Sequence, residues 1–198
     1  MGLDLQYGFG QTPVSEEELD ELLIRTITTR KELDEFEQQN IEKALEWLMR
    51  KKISLENILS EDFIFLLHRK MFGEVWSWAG TQRKSNKNIG VEWTMIRIEL
   101  RNLLDDVRFW IENIVFTQDE IALRFSHRLV SIHIFPNGNG RHSRLMADII
   151  AERIFLRPPF TWGSVNLTSQ GEAREAYISA LRLADQNSFA ALIAFARS

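Results

Sequence analysis

Helix-start signals constrain the fold of this chain more than any other feature of its sequence. A serine or threonine is followed three residues later by glutamate at Ser15/Glu18, Thr29/Glu32, Thr117/Glu120 and Ser169/Glu172. In such a capping box, the hydroxyl and the carboxylate each accept a hydrogen bond from a backbone N–H that the first helical turn leaves unpaired. Apolar residues then recur every three or four positions after Thr29 and Thr117, and also from Thr94 to Ile114. This spacing predicts amphipathic helices.

The stretch 80–93 (GTQRKSNKNIGVEW) interrupts the helical pattern. It is polar, it contains the turn-forming residues Asn and Gly, and it ends in a short β-branched alternation, which together favour a small hairpin or flap. Its basic residues Arg83, Lys84 and Lys87 would either attract an acidic target or simply be solvated. The predicted fold class is therefore mainly α, a single helical domain with a small β-hairpin flap.

Composition excludes several functional classes for this chain of 198 residues. Its 24 basic and 28 acidic residues give a net charge of −4, which argues against direct nucleic-acid binding. With no cysteine, the chain has no disulfide, no cysteine-based zinc site and no thiol nucleophile. No apolar run is long enough to span a membrane, and the first residues do not resemble a secretory signal. We therefore expect a cytoplasmic protein without a membrane partner.

Residues 133–144 (HIFPNGNGRHSR) form the most informative motif. A helix is predicted to end near His133, and helical periodicity resumes at Arg141 after a turn in which Gly138 and Gly140 can adopt positive φ. The first N–H groups of a helix lack internal acceptors and carry the positive end of the macrodipole, so this turn suits an anion such as phosphate.

Three charged or titratable side chains flank that turn. Arg141 and Arg144 carry guanidinium groups that can bind phosphate oxygens in a bidentate manner. His133 stands on the other side of the turn, and a neutral imidazole there could remove a proton from a hydroxyl near pH 7. The phosphate-binding P-loop pattern is absent from the sequence, and the third glycine of a dinucleotide fingerprint is replaced by Ser143.

The string HIFPNGNGRHSR resembles the signature of Fic-domain proteins, HxFx(D/E)GNGRxxR. The segments VWSWAG at 75–80 and IGV at 89–91 resemble the part of that family that leads into its target-docking flap. The form HxFPNGNGRH is most similar to a subgroup called mobile mystery protein B. The resemblance spans about residues 20–185, and it suggests an N-terminal extension over 1–28 followed by a Fic-type helical domain over 29–198.

The resemblance implies a protein adenylyltransferase, an enzyme that transfers AMP from ATP to a Ser, Thr or Tyr hydroxyl of a target protein. His133 would be the general base. The flap would clamp the target segment by strand addition. Arg141 would support the phosphates, and Arg144 would pair with the γ-phosphate. The nucleotide-binding set implied by the motif is Asn137, Gly138, Asn139, Gly140, Arg141 and Arg144, and the docking flap comprises Asn88, Ile89, Gly90 and Val91.

Asn137 departs from the family pattern, which has Asp or Glu at that position to hold Mg²⁺. A neutral amide oxygen should bind Mg²⁺ or Mn²⁺ more weakly than a carboxylate does. Asn137 is thus a doubtful metal ligand, and two alternatives to AMP transfer remain open. In one, the chain is a catalytically weakened protein that binds nucleotide or partner. In the other, it is a phosphotransferase of the kind seen in Doc toxins, although the GNGR turn argues against that.

Many Fic proteins also carry an inhibitory glutamate that captures the second arginine of the motif. Glu37 is the candidate here, although Leu33 stands where the associated pattern has Ser or Thr. A separate inhibitor chain is an equal alternative, and the mobile mystery B resemblance implies a helix-turn-helix companion protein.

Overall fold

The structure, a computed structural model, describes residues 14–164 and 171–198, and within them the chain is helical. A π-helical turn over Ile150–Ile154 extends α7, and short 3₁₀ turns lie at Trp93–Met95 and Trp162–Ser164. The helices in chain order are Glu16–Leu19 (α1), Arg30–Met49 (α2), Leu55–Ile58 (α3), Glu61–Phe72 (α4), Ile96–Glu112 (α5), Gln118–Ile132 (α6), Asn139–Ile149 (α7), Glu172–Asp185 (α8) and Ala190–Ala196 (α9).

Three of the four predicted helix starts are N-caps in the structure. Ser15 and Thr29 are N-caps with reciprocal capping boxes, as the sequence predicts. Thr117 caps α6 by accepting a hydrogen bond from the backbone N–H of Glu120. The fourth predicted cap, Ser169, lies outside the described residues, and α8 begins after Gly171.

The core forms where the apolar faces of α4, α5, α6 and α7 meet. Helix α6 packs against both α5 and α7, α2 packs against α4, and α9 packs against α8 and α6. Fully buried side chains include Leu67 of α4, Leu100 of α5, Phe125 of α6 and Met146 of α7. Each buried side chain of this kind stabilises the fold by about 1.5–3 kcal/mol. The two helices that flank the motif are therefore anchored on both sides.

The predicted β-hairpin flap is wrong, because residues 80–93 form a loop without strand pairing. Side chains, not a ladder of backbone bonds, hold its two arms together. The Asn86 amide donates to the Glu92 carboxylate and accepts from the backbone N–H of Trp93, while the Gln82 amide donates to the Trp93 carbonyl. An isolated β-bridge joins Leu22 to Trp76 in the described part of the chain.

The residues before α2 pack across the loop that follows α4. The backbone N–H of Leu23 donates to the Val75 carbonyl, and that of Ser77 donates to the Glu21 carbonyl. The Trp78 indole also donates to the Glu18 carbonyl. These bonds join the segment before α2 to the loop that contains the buried indole rings of Trp76 and Trp78. None of the described helices combines the length and apolar character that a membrane span requires.

Candidate active site

His133 lies at the C-terminal end of α6 in a left-handed conformation, with φ 57° and ψ 62°. Its Nδ1 lies 3.3 Å from the Val130 carbonyl, which can only accept, so Nδ1 carries the proton and the acceptor lone pair of the neutral ring is on Nε2. The residue is only 3% exposed. Burial lowers the pKa of His133 to about 4, and the charges of Arg83 and Lys87 add to this effect. The ring is therefore neutral at pH 7, as a base requires.

Asn139 shapes the turn that connects α6 to α7. Its side-chain oxygen accepts from the backbone N–H of Phe135 at 3.0 Å, and its amide nitrogen donates to the Phe135 carbonyl at 2.8 Å. The family resemblance implies that Asn139 binds phosphate together with the backbone of the turn. In the structure, its side chain brackets Phe135, and it thus fixes where the N-terminus of α7 lies.

Gly138 is the N-cap of α7 and has a φ of 78°. A Cβ at this position would lie 2.7 Å from the ring of Phe72 and 3.2 Å from Nε2 of His68. By contrast, a Cβ on Gly140 would meet only the tip of Arg144, at 3.7 Å. The first glycine is therefore required by the fold, while the second leaves open space at the start of the helix.

His68 contacts the motif turn, although the motif itself does not indicate this residue. Its Nε2 lies 3.0 Å from the Asn137 carbonyl, and its Nδ1 accepts from the backbone N–H of Gly80 at 3.0 Å. The ring stacks on Phe135, with 3.6 Å between the ring centroids. His68 therefore joins α4, the start of the flap and the motif turn. Only its position on a leucine-rich helix is visible in the sequence, and that pattern indicates packing alone.

The two motif arginines have different surroundings. Nη1 of Arg141 forms an ion pair with the Glu37 carboxylate at 2.7 Å, and its guanidinium lies over the Phe72 ring. The other Glu37 oxygen accepts from the Trp76 indole at 2.6 Å. Arg144 lies over the ring of Tyr177. The resemblance implies capture of the second arginine by an inhibitory glutamate, whereas here Glu37 contacts the first.

A cavity of about 580 Å³ brings the predicted nucleotide-binding residues together with His133. Its walls come from the motif turn, α2, α6, α8 and the flap. All six residues of the predicted nucleotide-binding set line it, as do Ile89, Gly90 and Val91 of the flap. Asn88 is not among the lining residues. The remaining lining side chains are Arg30, Asp34, His127, Val130, Ser131, Arg174, Tyr177, Ile178, Leu181 and Asp185.

Arg83 attaches the flap to His133. The sequence suggested that Arg83 either attracts an acidic target or is solvated, but the residue is buried. Nε of Arg83 donates to the His133 carbonyl at 2.6 Å, while its Nη atoms donate to the carbonyls of Ser85 and Val91. Gly90 lies against this clamp, where a Cβ would come within 2.7 Å of the Cβ of His133. The flap and the histidine therefore form one unit.

Asn137 does not form a metal site with its neighbours. Its side-chain oxygen accepts from the backbone N–H of Gly138 at 2.6 Å. Among the described residues, no three His, Asp or Glu side chains are grouped so that they could hold a metal ion. Mg²⁺ usually takes one or two carboxylates in addition to substrate phosphates. The residues present thus fit a protein-held Mg²⁺ poorly, and any metal would depend on oxygens of the nucleotide.

Solved structures of known proteins share this fold. One is a Fic-1 fragment from C. elegans, which has a TM-score of 0.62 at 24% identity. The match covers 80% of this chain and 46% of that fragment, so the chain spans about half of it. The N-terminal Fic domain of an effector protein from Bartonella sp. AR 15-3 has a TM-score of 0.66 at 15% identity, covering 92% of this chain and 91% of that one. BepC from Bartonella tribocorum, with bound AMPPNP, has a TM-score of 0.63 at 16% identity and covers 92% and 97%.

At these identities, the structural likeness concerns the fold alone. No curated protein sequence matches the chain. The model of the Fic/DOC family matches residues 58–151, a range that runs from α3 through the motif and α7. That range contains His133, the glycine turn and both motif arginines. The resemblance inferred from the motif is thereby confirmed, because the Fic/DOC family model matches residues 58–151 of this chain.

Proposed function

We propose that this protein transfers AMP from ATP to a hydroxyl group of a target protein. The observation that carries the proposal is the content of one cavity, where a neutral imidazole stands beside an anion-binding helix start and two arginines. These are the groups that an attack on phosphorus requires: a base for the nucleophile and positive charge for the phosphates.

The start of α7 would hold the inner phosphates. No side chain caps this helix, so within the described residues its first N–H groups keep the positive end of the helix dipole available to an anion. Gly140 adds no Cβ at that position, and a phosphate could approach the backbone there. Arg141 and Arg144 would supply bidentate guanidinium contacts from the same helix.

His133 would act on the target hydroxyl. In the proposed step, the hydroxyl oxygen forms a bond to the α-phosphorus, the bond from that phosphorus to the bridging oxygen breaks, and pyrophosphate leaves. The hydroxyl proton passes to Nε2 of His133, the atom on which the neutral tautomer carries its lone pair. Because the pKa of His133 is lowered to about 4, this atom is unprotonated throughout the physiological range.

The exposed part of the flap is a docking segment for the target in this proposal. Both backbone groups of Val91 are already used, since its N–H donates to the Ile132 carbonyl and its carbonyl accepts from Arg83. Strand addition would therefore use Asn88, Ile89 and Gly90, which are all exposed. Ile89 is 46% exposed and could also contact an apolar side chain of the target.

A second candidate function is a nucleotide-binding protein with weakened catalysis. The observation in its favour is Asn137, whose neutral amide replaces a carboxylate and is engaged by the N–H of Gly138. The solved structure of BepC holds AMPPNP. That finding supports ATP as the nucleotide in both candidate functions, whether or not the phosphorus is attacked.

Labelled ATP distinguishes the alternatives. The protein would be incubated with a cell lysate, Mg²⁺ or Mn²⁺, and ATP labelled at either the α- or the γ-phosphate. We expect protein-bound label from the α-phosphate only. Label from the γ-phosphate only would contradict AMP transfer and support phosphotransfer, and ATP binding without any label would support the weakened binding protein.

A further inference from the structure

We propose that Arg30 and Arg174 form an outer subsite for the terminal phosphate of a nucleoside triphosphate. The proposal rests on the proposed function, because it names further residues for the same substrate. Both arginines lie outside the range matched by the family model, in α2 and α8 respectively. Neither belongs to the motif.

The position of the two arginines connects them to the motif. Arg30 is the first residue of α2, and Arg174 lies in the first turn of α8. Both line the cavity that also contains Arg141 and Arg144 of α7. Three helices thus begin at this cavity, and the positive ends of their dipoles add to the charge of the side chains.

The charge of this region is opposite to that of the whole chain. The described lining of the cavity has four arginines and two aspartates, whereas the whole chain has a net charge of −4. Asp34 accepts from Nε of Arg30 at 2.9 Å, and Asp185 contacts His127 at 2.8 Å. The lining therefore has more cationic than anionic side chains, and a bound polyanion would offset this excess of positive charge.

Arg174 shows that the like charges affect one another. Its pKa is lowered by burial and then by the nearby charge of Arg144, and Arg30 contributes in the same direction. Guanidinium groups that repel each other in a partly buried cavity are stabilised when an anion binds between them. A guanidinium carries five N–H donors, so Arg30 can contact a phosphate while Asp34 accepts from its Nε.

The chemistry of a triphosphate fits this arrangement. The glycine turn would hold the inner phosphates, and the terminal phosphate is the group with the most negative charge. Arg144 would meet it from α7, and Arg30 and Arg174 from the two other helices. The outer pair therefore makes the cavity selective for triphosphates over nucleoside monophosphates.

Calorimetry with three probes tests the subsite. ATP, AMP and inorganic triphosphate would be titrated into the full chain and into its Arg30→Gln and Arg174→Gln variants. We expect each variant to bind ATP and inorganic triphosphate about tenfold more weakly, since a charged hydrogen bond is lost, with AMP affinity unchanged. Lys31→Gln and Arg182→Gln are matched controls, because both residues are exposed on the same helices and do not line the cavity.

Each other outcome has a separate meaning. If the unaltered chain binds ATP and both variants bind it equally well, the subsite is wrong and the proposed function stands. If the chain binds inorganic triphosphate but no adenine nucleotide, and the variants weaken it, the subsite stands and the proposed function is wrong. Binding of none of the probes would overturn both. Arg174→Lys keeps the positive charge but not the forked N–H donors of the guanidinium, so it should lose less affinity for ATP than Arg174→Gln does. This variant tests the subsite if Arg174→Gln does not fold.

Discussion

The carbonyl of His133 is held by Arg83 while its ring is held by Val130, so both ends of this residue are fixed. Arg83 also binds the Val91 carbonyl of the flap, and its charge contributes to the lowered pKa of the imidazole. A residue that holds a base in position and contributes to its lowered pKa should influence the reaction without touching the substrate. We therefore treat Arg83 as a positioning residue.

Arg83→Met should change the pH profile of AMP transfer. Removing the charge should raise the pKa of His133 from about 4 toward its ordinary value of 6.5, so the acidic limb of the profile should move upward. Because three carbonyls lose their donor, the free energy of unfolding should fall by about 2–4 kcal/mol. Lys84→Met, at an exposed neighbouring position, is the control. An unchanged pH profile in Arg83→Met would refute the positioning role.

Glu37 restrains Arg141 in the account proposed here. The carboxylate is 3% exposed and bridges the guanidinium and the Trp76 indole, so Arg141 must leave this partner or share it when phosphate binds. Glu37→Gln keeps an acceptor for the indole but removes the charge. It should tighten ATP binding and raise self-labelling by a few-fold to about tenfold, as expected for release of a buried ion pair.

The matched control for Glu37→Gln is Glu35→Gln, an exposed position on the same helix. It should behave like the unaltered chain in both ATP affinity and self-labelling. If Glu37→Gln instead weakens ATP binding, Glu37 positions Arg141 for the phosphate and the inhibitory role is wrong.

At the scale of structural elements, we expect the two glycines of the turn to have different roles: Gly138 is needed for folding and Gly140 for ATP binding. Gly138→Ala should lower the free energy of unfolding by about 2 kcal/mol or more, because φ is positive and the new methyl group would meet Phe72. Gly140→Ala should leave stability unchanged or raise it by up to about 1 kcal/mol. Its methyl group should nevertheless weaken ATP binding about tenfold by obstructing the helix start.

Urea unfolding and calorimetry on the two variants check this pair of expectations. The account fails if Gly138→Ala is as stable as the unaltered chain. It also fails if Gly140→Ala binds ATP normally, since the phosphate then does not approach that part of the backbone.

The helices and the motif turn could be predicted from local sequence, and the flap could not. Helix starts depend on residues three apart, such as Thr29 and Glu32, so a short window contains the information. The flap depends on Arg83, whose partners include residue 133, fifty positions away. A polar segment with turn residues suggests a hairpin until such a long-range clamp replaces the backbone ladder.

The candidate site could be predicted only in part, because some of its residues come together through long-range packing. The motif places His133, Arg141 and Arg144 within twelve residues, so their proximity follows from the chain itself. Arg30 and Arg174 line the cavity only because the tertiary fold brings the starts of α2 and α8 to it. The sequence contains no local sign of that arrangement.

At the scale of the whole molecule, buried histidines make stability depend on pH. Burial lowers the pKa of His133 to about 4, that of His142 to about 3, and that of His68 well below 6.5. Below pH 6.5, the unfolded chain therefore binds more protons at these sites than the folded chain does. Burial raises the pKa of Asp148 to about 7, which acts in the opposite direction, because the folded chain binds that proton first as the pH falls.

The net difference of about two protons predicts that the free energy of unfolding falls by roughly 2–3 kcal/mol per pH unit between pH 6 and 4.5. Urea unfolding at several pH values measures this slope. Asp148→Asn removes the opposing group and should make the slope steeper by about one proton. A stability that is flat across this range would show that the histidines are not held neutral by the fold.

The central claim is that His133 acts as a base above an ATP site, and one variant tests it most directly. His133→Ala and the unaltered chain would be compared side by side for ATP binding by calorimetry and for transfer of α-phosphate label to protein. The account predicts that His133→Ala binds ATP about as well as the unaltered chain, while transfer falls by a factor of about 10² or more. Transfer at the unaltered rate in His133→Ala would contradict the account.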